Sequence, residues 1–99
     1  MAELTSRQRA HLKSLAHSLK PILQIGKEGV TDALARSIED AFHTRELFKI
    51  KVLDSAPIEP REIANMIAGA IDNAHVVQVI GRTIVLYRPD PESPDIRLP

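Results

Sequence analysis

The chain has 99 residues, no cysteine, and equal numbers of acidic and basic side chains. This length suits one domain with one core, and the lack of cysteine excludes disulfides and thiolate metal sites. No apolar run approaches the roughly 18 residues that span a bilayer, and the first ten residues are polar, so we expect a soluble cytoplasmic protein rather than an exported one.

Charge is distributed unevenly along the chain. Residues 1–51 carry nine Lys or Arg against six Asp or Glu, whereas residues 52–99 carry four against seven. The two halves therefore differ in sign, +3 and −3. Such polarity can give one surface a positive potential although the whole molecule is neutral.

A first helix is predicted from the N-cap Thr5 to about Ser18, with Gln8 in the capping-box position. Its apolar residues recur at helical spacing. A second, basic stripe runs beside them at steps of four, four and three residues, and comprises Arg9, Lys13, His17 and Lys20. This stripe is either a solvated flank or part of a binding surface that leads into the next segment.

That segment, PILQIGKEGVT over Pro21–Thr31, predicts a strand, a tight loop and a helix start. The loop is Gly26, Lys27, Glu28 and Gly29, and its glycines allow positive φ and close approach of a partner. Free amides and the helix dipole would favour an anion such as phosphate, although Glu28 and Asp32 compete for the same place. GxxG alone is a weak signal and also fits an ordinary turn; it is not a nucleotide-binding P-loop.

Alternation and helical periodicity place the remaining elements. We predict a second helix over Thr31–His43 and a strand over Leu47–Leu53, in which Lys49 and Lys51 face away from Phe48. Pro60 begins a third helix that ends near Asn73. Two strands, Val76–Ile80 and Thr83–Tyr87, are joined by a Gly81-Arg82 turn of type II′.

This order predicts an α/β two-layer fold, α-β-α-β-α-β-β, with a four-stranded mixed sheet in which the first three strands run parallel. Residues 1–88 are expected to form the single domain. The proline-rich tail, residues 89–99, lacks a periodic pattern and is expected to be extended or mobile.

Enzymatic chemistry finds little support in the sequence. The four histidines lack metal-ligand spacing, and no serine stands in a nucleophile-elbow context. We therefore expect no catalytic residues, no metal and no cofactor. A small hydrolase is the remote alternative, and turnover in a broad substrate panel would revive it.

The aromatic content limits what kind of nucleic acid could bind. Only Phe42, Phe48 and Tyr87 are present, and the two phenylalanines are predicted to be core residues. Recognition of unpaired bases normally needs several stacking aromatic residues. Structured or double-stranded RNA, contacted through phosphate and shape, is the more suitable ligand.

Three segments resemble, in order and spacing, the CRM domain (chloroplast RNA splicing and ribosome maturation) and its bacterial YhbY members. They are LTSRQRAHLKSLAHSLKPILQIGKEGVT, RELFKIKV and VVQVIGRTIVLYRP. The resemblance extends from Leu4 to Pro89. It implies a fold like the C-terminal domain of translation initiation factor three, RNA binding, and association with precursors of the large ribosomal subunit. It also implies that the GxxG loop, Gly26 to Gly29, contacts RNA.

The resulting hypothesis is a non-enzymatic, monomeric RNA-binding protein that assists assembly of the large ribosomal subunit by binding structured rRNA. Membranes and small-molecule substrates are not expected partners. The predicted RNA-binding surface comprises Gly26, Lys27, Glu28, Gly29, Arg9, Lys13, His17, Lys20, Lys49, Lys51, Arg82 and Arg88. The alternative is a protein-interaction module that docks on a ribosomal protein without contacting RNA; the neutral charge and the acidic tail favour it.

Overall fold

The computed structural model describes residues 3–99 and contains seven regular elements in the predicted order. They are α1 (Ser6–Ala16), β1 (Leu23–Ile25), α2 (Asp32–Thr44), β2 (Leu47–Val52), α3 (Pro60–Ala70), β3 (His75–Ile80) and β4 (Thr83–Tyr87). The ends differ from the predicted ends by only a few residues. The largest difference is at α3, which ends at Ala70, before the left-handed Asn73 (φ 63°).

Local side-chain chemistry sets the helix starts. Thr5 caps α1 by accepting a hydrogen bond from the Gln8 amide, and the Gln8 side chain accepts one from the Thr5 amide, so the predicted capping box is confirmed. Thr31 caps α2 in the same manner through the Leu34 amide. Pro60 occupies the first turn of α3, where its missing N–H costs nothing.

The strands form one mixed sheet in the order β1-β2-β4-β3. β1 and β2 are parallel, and β4 lies between β2 and β3, antiparallel to both. The first three strands therefore run in one direction, as predicted, and the α/β fold class is confirmed. Gly81 opens the β3–β4 turn with φ 57°, while Arg82 keeps a negative φ, as a type II′ turn requires.

Helices cover the two faces of the sheet unequally. α2 and α3 pack on one face and enclose the larger core, which includes Ile38, Phe42, Phe48, Ile50, Ile63 and Ile67. α1 packs on the other face over a smaller cluster formed by Leu12, Ala16, Leu47, Val77, Val85 and Tyr87. Since one short helix cannot cover four strands, part of this second face stays open.

The tail has no regular structure but makes definite contacts. The buried Glu46 carboxylate accepts hydrogen bonds from the amides of Asp90, Asp95 and Ile96 at 2.6, 2.9 and 2.7 Å. Ile96 and Leu98 pack against the cluster beneath α1. These contacts favour a docked tail, and its mobility in solution stays a prediction.

Candidate nucleic-acid interface

The GxxG loop is a tight turn between β1 and α2. The Gly29 amide donates to the Gly26 carbonyl at 3.0 Å, and Lys27 and Glu28 lie exposed at the tip. The loop thus presents one cation and one anion to solvent.

The two glycines face inward, toward the connection between β2 and α3. Gly29 is buried with φ 67°, and a Cβ there would lie 3.3 Å from Cγ of Pro57. A Cβ at Gly26 would lie 3.6 Å from Oγ of Ser55, an ordinary contact. Packing within the protein therefore explains at least Gly29 without any ligand.

The start of α2 is less open than the sequence suggested. Val30 and Thr31 separate the loop from the helix. The Thr31 hydroxyl oxygen accepts a hydrogen bond from the Leu34 amide, which is then no longer free to bind an anion. Exposed Asp32 adds negative charge in the first turn. The amides at this helix end are therefore a weaker anion site than the sequence analysis expected.

A continuous polar surface lies on the uncovered part of the sheet. Register places Lys51 between Gln24 of β1 and Thr83 of β4, and pairs Lys49 with Val85. On β3, a bulge between Val76 and Gln78 shifts the alternation by one residue, so that Gln78 pairs with Val85. We call this surface the open sheet face and define it as Gln24, Lys49, Lys51, Gln78, Ile80 and Thr83. It contains two lysines and no carboxylate.

α1 borders this face and adds further basic groups. Lys13, His17 and Lys49, from elements more than thirty residues apart in the sequence, line a shallow groove of about 90 Å³. Ile80, with 57% of its surface exposed, also lines this groove. Lys20 is exposed beyond the end of α1. The structure therefore brings together Lys13, His17 and Lys49 and leaves Lys51 beside them.

Arg9 and Arg82 serve the fold instead of facing solvent freely. The Arg9 guanidinium donates to the carbonyls of Val76 and Val77 at the β3 bulge, both at 2.7 Å. Arg82 donates to the carbonyls of Val52 and Leu53 at 2.9 and 2.7 Å, and lies 3.2 Å from Asp54. Both guanidinium groups are thus engaged by backbone oxygen atoms.

Arg88 lies at the other end of the sheet. It pairs with Glu39, stacks 4.8 Å from the centre of the Phe42 ring, and keeps only 15% of its side chain exposed. Its hydrogen bond holds the pKa of Glu39 below the usual range. Arg88 follows Tyr87 at the end of β4 that pairs with Leu47, whereas Lys51 and Thr83 lie at the other end, so Arg88 and these two residues do not form one surface.

The aromatic residues take no part in this surface. Phe42 and Phe48 are buried in the larger core, as predicted, and lie 4.7 Å apart between ring centres, while Tyr87 is buried beneath α1. Within residues 3–99, no cluster of three or more His, Asp or Glu side chains could hold a metal ion. No helix in this part of the chain is long and apolar enough to cross a membrane.

These features define a class of small α/β domains in which a mixed sheet is covered by helices on one face and only partly on the other. The chain belongs to the CRS1/YhbY (CRM) domain family, whose pattern matches residues 4–88.

Relatives match along almost the whole chain. It is 40% identical over 96 residues to a Bacillus subtilis protein named "Probable RNA-binding protein YqeI", covering 97% of this chain and 99% of that one. It is 39% identical over 102 residues to a Haemophilus influenzae protein named "RNA-binding protein", covering 100% and 98%. The solution structure of SAV1595 from Staphylococcus aureus superposes with a TM-score of 0.80 at 41% identity, covering 97% and 99%.

Several residues of the open sheet face were missed in the sequence analysis. Gln24 and Thr83 could have been found, because strand alternation places them on the same side as the lysines. Gln78 could not, since the bulge shifts its register. The buried Glu46 also gave no signal, because its partners are backbone amides of the distant tail.

Proposed function

We propose that this protein binds structured RNA through the open sheet face and the adjoining basic groups of α1, and that it acts in this way on precursors of the large ribosomal subunit. The observation that carries the proposal is the groove shared by Lys13, His17 and Lys49, with Lys51 beside it and no carboxylate among the residues of the face. Uncompensated cations on an open surface attract phosphate.

The character of the surface favours duplex or folded RNA over unpaired bases. It offers lysines, two glutamines and a threonine, which can contact phosphate and 2′-hydroxyl groups, but no Phe, Tyr or Trp, and His17 is its single ring on which a base could stack. Lys27 at the tip of the GxxG loop and Lys20 are proposed as flanking contacts. Glu28, Gly26 and Gly29 then shape the loop, and Arg9, Arg82 and Arg88 contribute through the fold.

Salt dependence tests the electrostatic part of the proposal. Contacts from Lys13, Lys20, Lys27, Lys49 and Lys51 correspond to about five phosphates, which predicts a slope near −4 when log affinity for an RNA hairpin is plotted against log salt concentration. A flat plot would contradict phosphate recognition.

A charge-reversal pair tests the location. Lys13→Glu with Lys49→Glu should weaken binding to the same hairpin at least about tenfold, since two phosphate contacts become repulsive. The matched control reverses Arg36 and Arg61, exposed arginines of α2 and α3 on the opposite face, and should change affinity little. Circular dichroism melts confirm folding, and equal effects of the two pairs would place the site elsewhere.

The ribosomal part rests on the family resemblance and has its own test. Sedimentation of cell extracts should place the protein with precursors of the large subunit, and the Lys13, Lys49 pair of substitutions should release it to the top of the gradient. Sedimentation unaffected by the substitutions would favour docking on protein alone.

A further inference from the structure

A second groove, of about 400 Å³, opens where β2 begins and β4 ends. This volume lies within the range of about 300–1,000 Å³ typical of ligand sites. The end of α2, the turn after α3 and the start of the tail line it, and we call it the tail groove: Phe42, His43, Asp72, Asn73, Arg88, Pro89, Asp90, Pro91 and Glu92. It lies at the opposite end of β2 from Lys51 and the GxxG loop.

Hydrogen bonds hold the tail wall of this groove in place. Glu46 fixes the Asp90 amide from below, while Oδ1 of Asp90 accepts from the amides of Glu92 and Ser93 at 2.9 and 3.0 Å. The hydrogen bonds from the amides of Ser93 and Glu92 lower the pKa of Asp90, so its carboxyl group is charged at neutral pH. The tail side of the groove is therefore preorganised, and the conformational entropy lost by the tail on binding a partner is small.

The charge balance of the tail groove is negative. Arg88 is neutralised by Glu39, and exposed His43 lies 3.7 Å from the same carboxylate. Asp72 and Glu92 have exposed carboxylates that make no hydrogen bond or ion pair within residues 3–99. Negative charge is thus left without a partner beside the apolar surfaces of Pro89 and Pro91.

We propose that the tail groove binds an extended cationic segment of another protein, rich in arginine or lysine. The free carboxylates of Asp72 and Glu92 complement its charged groups, and the proline rings can pack against the aliphatic stems of the same side chains. RNA is disfavoured here because its phosphates would meet the same carboxylates. The protein would then hold RNA and a basic protein segment at separate places.

Titration with a synthetic peptide of alternating arginine and glycine tests this site. Amide shifts in a ¹⁵N-labelled sample of the full chain should saturate and be confined to the groove residues around 42–43, 72–73 and 88–92. Asp72→Lys with Glu92→Lys should raise the Kd for the peptide at least about tenfold. Shifts that spread over all acidic surfaces without saturation would overturn the proposal.

Matched controls separate this inference from the proposed function. Asp32→Lys with Glu62→Lys makes the same charge change on exposed first-turn residues at the other end of the molecule and should leave the Kd for the peptide nearly unchanged. The groove variant should bind the RNA hairpin at least as well as the wild type. Equal loss of peptide binding in both variants, or hairpin-induced shifts centred on the groove, would overturn the tail-groove site whatever the outcome for the open sheet face.

Discussion

The two glycines of the GxxG loop perform different tasks. Gly29 combines a left-handed φ of 67° with a close approach to Pro57, whereas Gly26 has neither a positive φ nor a contact tighter than 3.6 Å. A side chain is therefore strained at position 29 and tolerated at position 26.

Gly29→Ala should lower the free energy of unfolding by about 1–3 kcal/mol, because alanine disfavours the left-handed region and its methyl group presses on Pro57. Gly26→Ala should change it by less than about 0.5 kcal/mol. Urea unfolding of both variants provides the measurement. Gly81→Ala is the control for strain alone, since Gly81 has φ 57° and open space around its Cβ position.

The same pair of variants addresses the loop in RNA binding. If the loop approaches RNA closely at Gly26, Gly26→Ala weakens hairpin affinity without loss of stability. If affinity is unchanged in this stable variant, close approach at Gly26 is wrong and the lysines carry the contact.

Among individual residues, the binding partners of the arginines were the hardest to predict from the sequence. The sequence predicted a basic stripe at helical spacing, but α1 ends at Ala16, before Lys20, and Arg9 and Arg82 are used by carbonyl groups of distant strands. No local pattern reports such a partner, because it depends on the register of β3 and on the end of β2. Within residues 3–99, the ammonium groups of Lys13 and Lys49 make no ion pair, so both lysines remain available to a partner.

Among the elements, α3 carries an unusual residue in its last turn. Gly69 is exposed, and nothing lies within 4 Å of its Cβ position, so no close packing explains the glycine. A glycine in a helix costs up to about 1 kcal/mol relative to alanine.

Gly69→Ala should therefore raise the free energy of unfolding by about 0.5–1 kcal/mol and the melting temperature by about 2–6 °C. Ala68→Gly, at the exposed neighbouring position, is the reverse control and should lower both. Thermal denaturation followed by circular dichroism measures the two changes. Destabilisation by Gly69→Ala would contradict the inference that no packing requires a glycine at this position.

Helix and strand identities were predictable because their signals are local: capping boxes, prolines in first turns and alternation in β2. The placement of β4 between β2 and β3 was not, since pairing between distant strands depends on which faces each can bury. That placement decides which residues lie beside Lys51. The open sheet face therefore became visible only with the complete topology.

At the scale of the whole molecule, Glu46 anchors the tail. The start of the tail lines the groove beside the end of α2, and its last residues pack against the cluster beneath α1. Glu46 is 7% exposed, and its carboxylate accepts hydrogen bonds from three amides of the tail, two through Oε1 and one through Oε2. Removing the carboxylate leaves these part-buried amide donors without acceptors, which costs up to about 1–3 kcal/mol.

Glu46→Ala should lower the free energy of unfolding by about that amount and speed amide exchange throughout residues 90–96. Glu46→Gln, which retains one carbonyl oxygen, should have a smaller effect. Exposed Glu62 provides the control, since Glu62→Ala leaves the tail untouched. Unchanged exchange in Glu46→Ala would show that the tail is mobile in solution despite these contacts.

Two groups of like charge lie at separate places in the fold. Lys13, Lys49 and Lys51, from the basic half of the chain, gather toward the end of β2, while Asp72 and Glu92, from the acidic half, lie where β2 begins. An approaching polyanion is therefore attracted locally at the lysines and repelled locally at these two carboxylates. Encounters in which the lysines face the polyanion become more frequent, and Asp72 and Glu92 are left pointing away from it, toward a second partner.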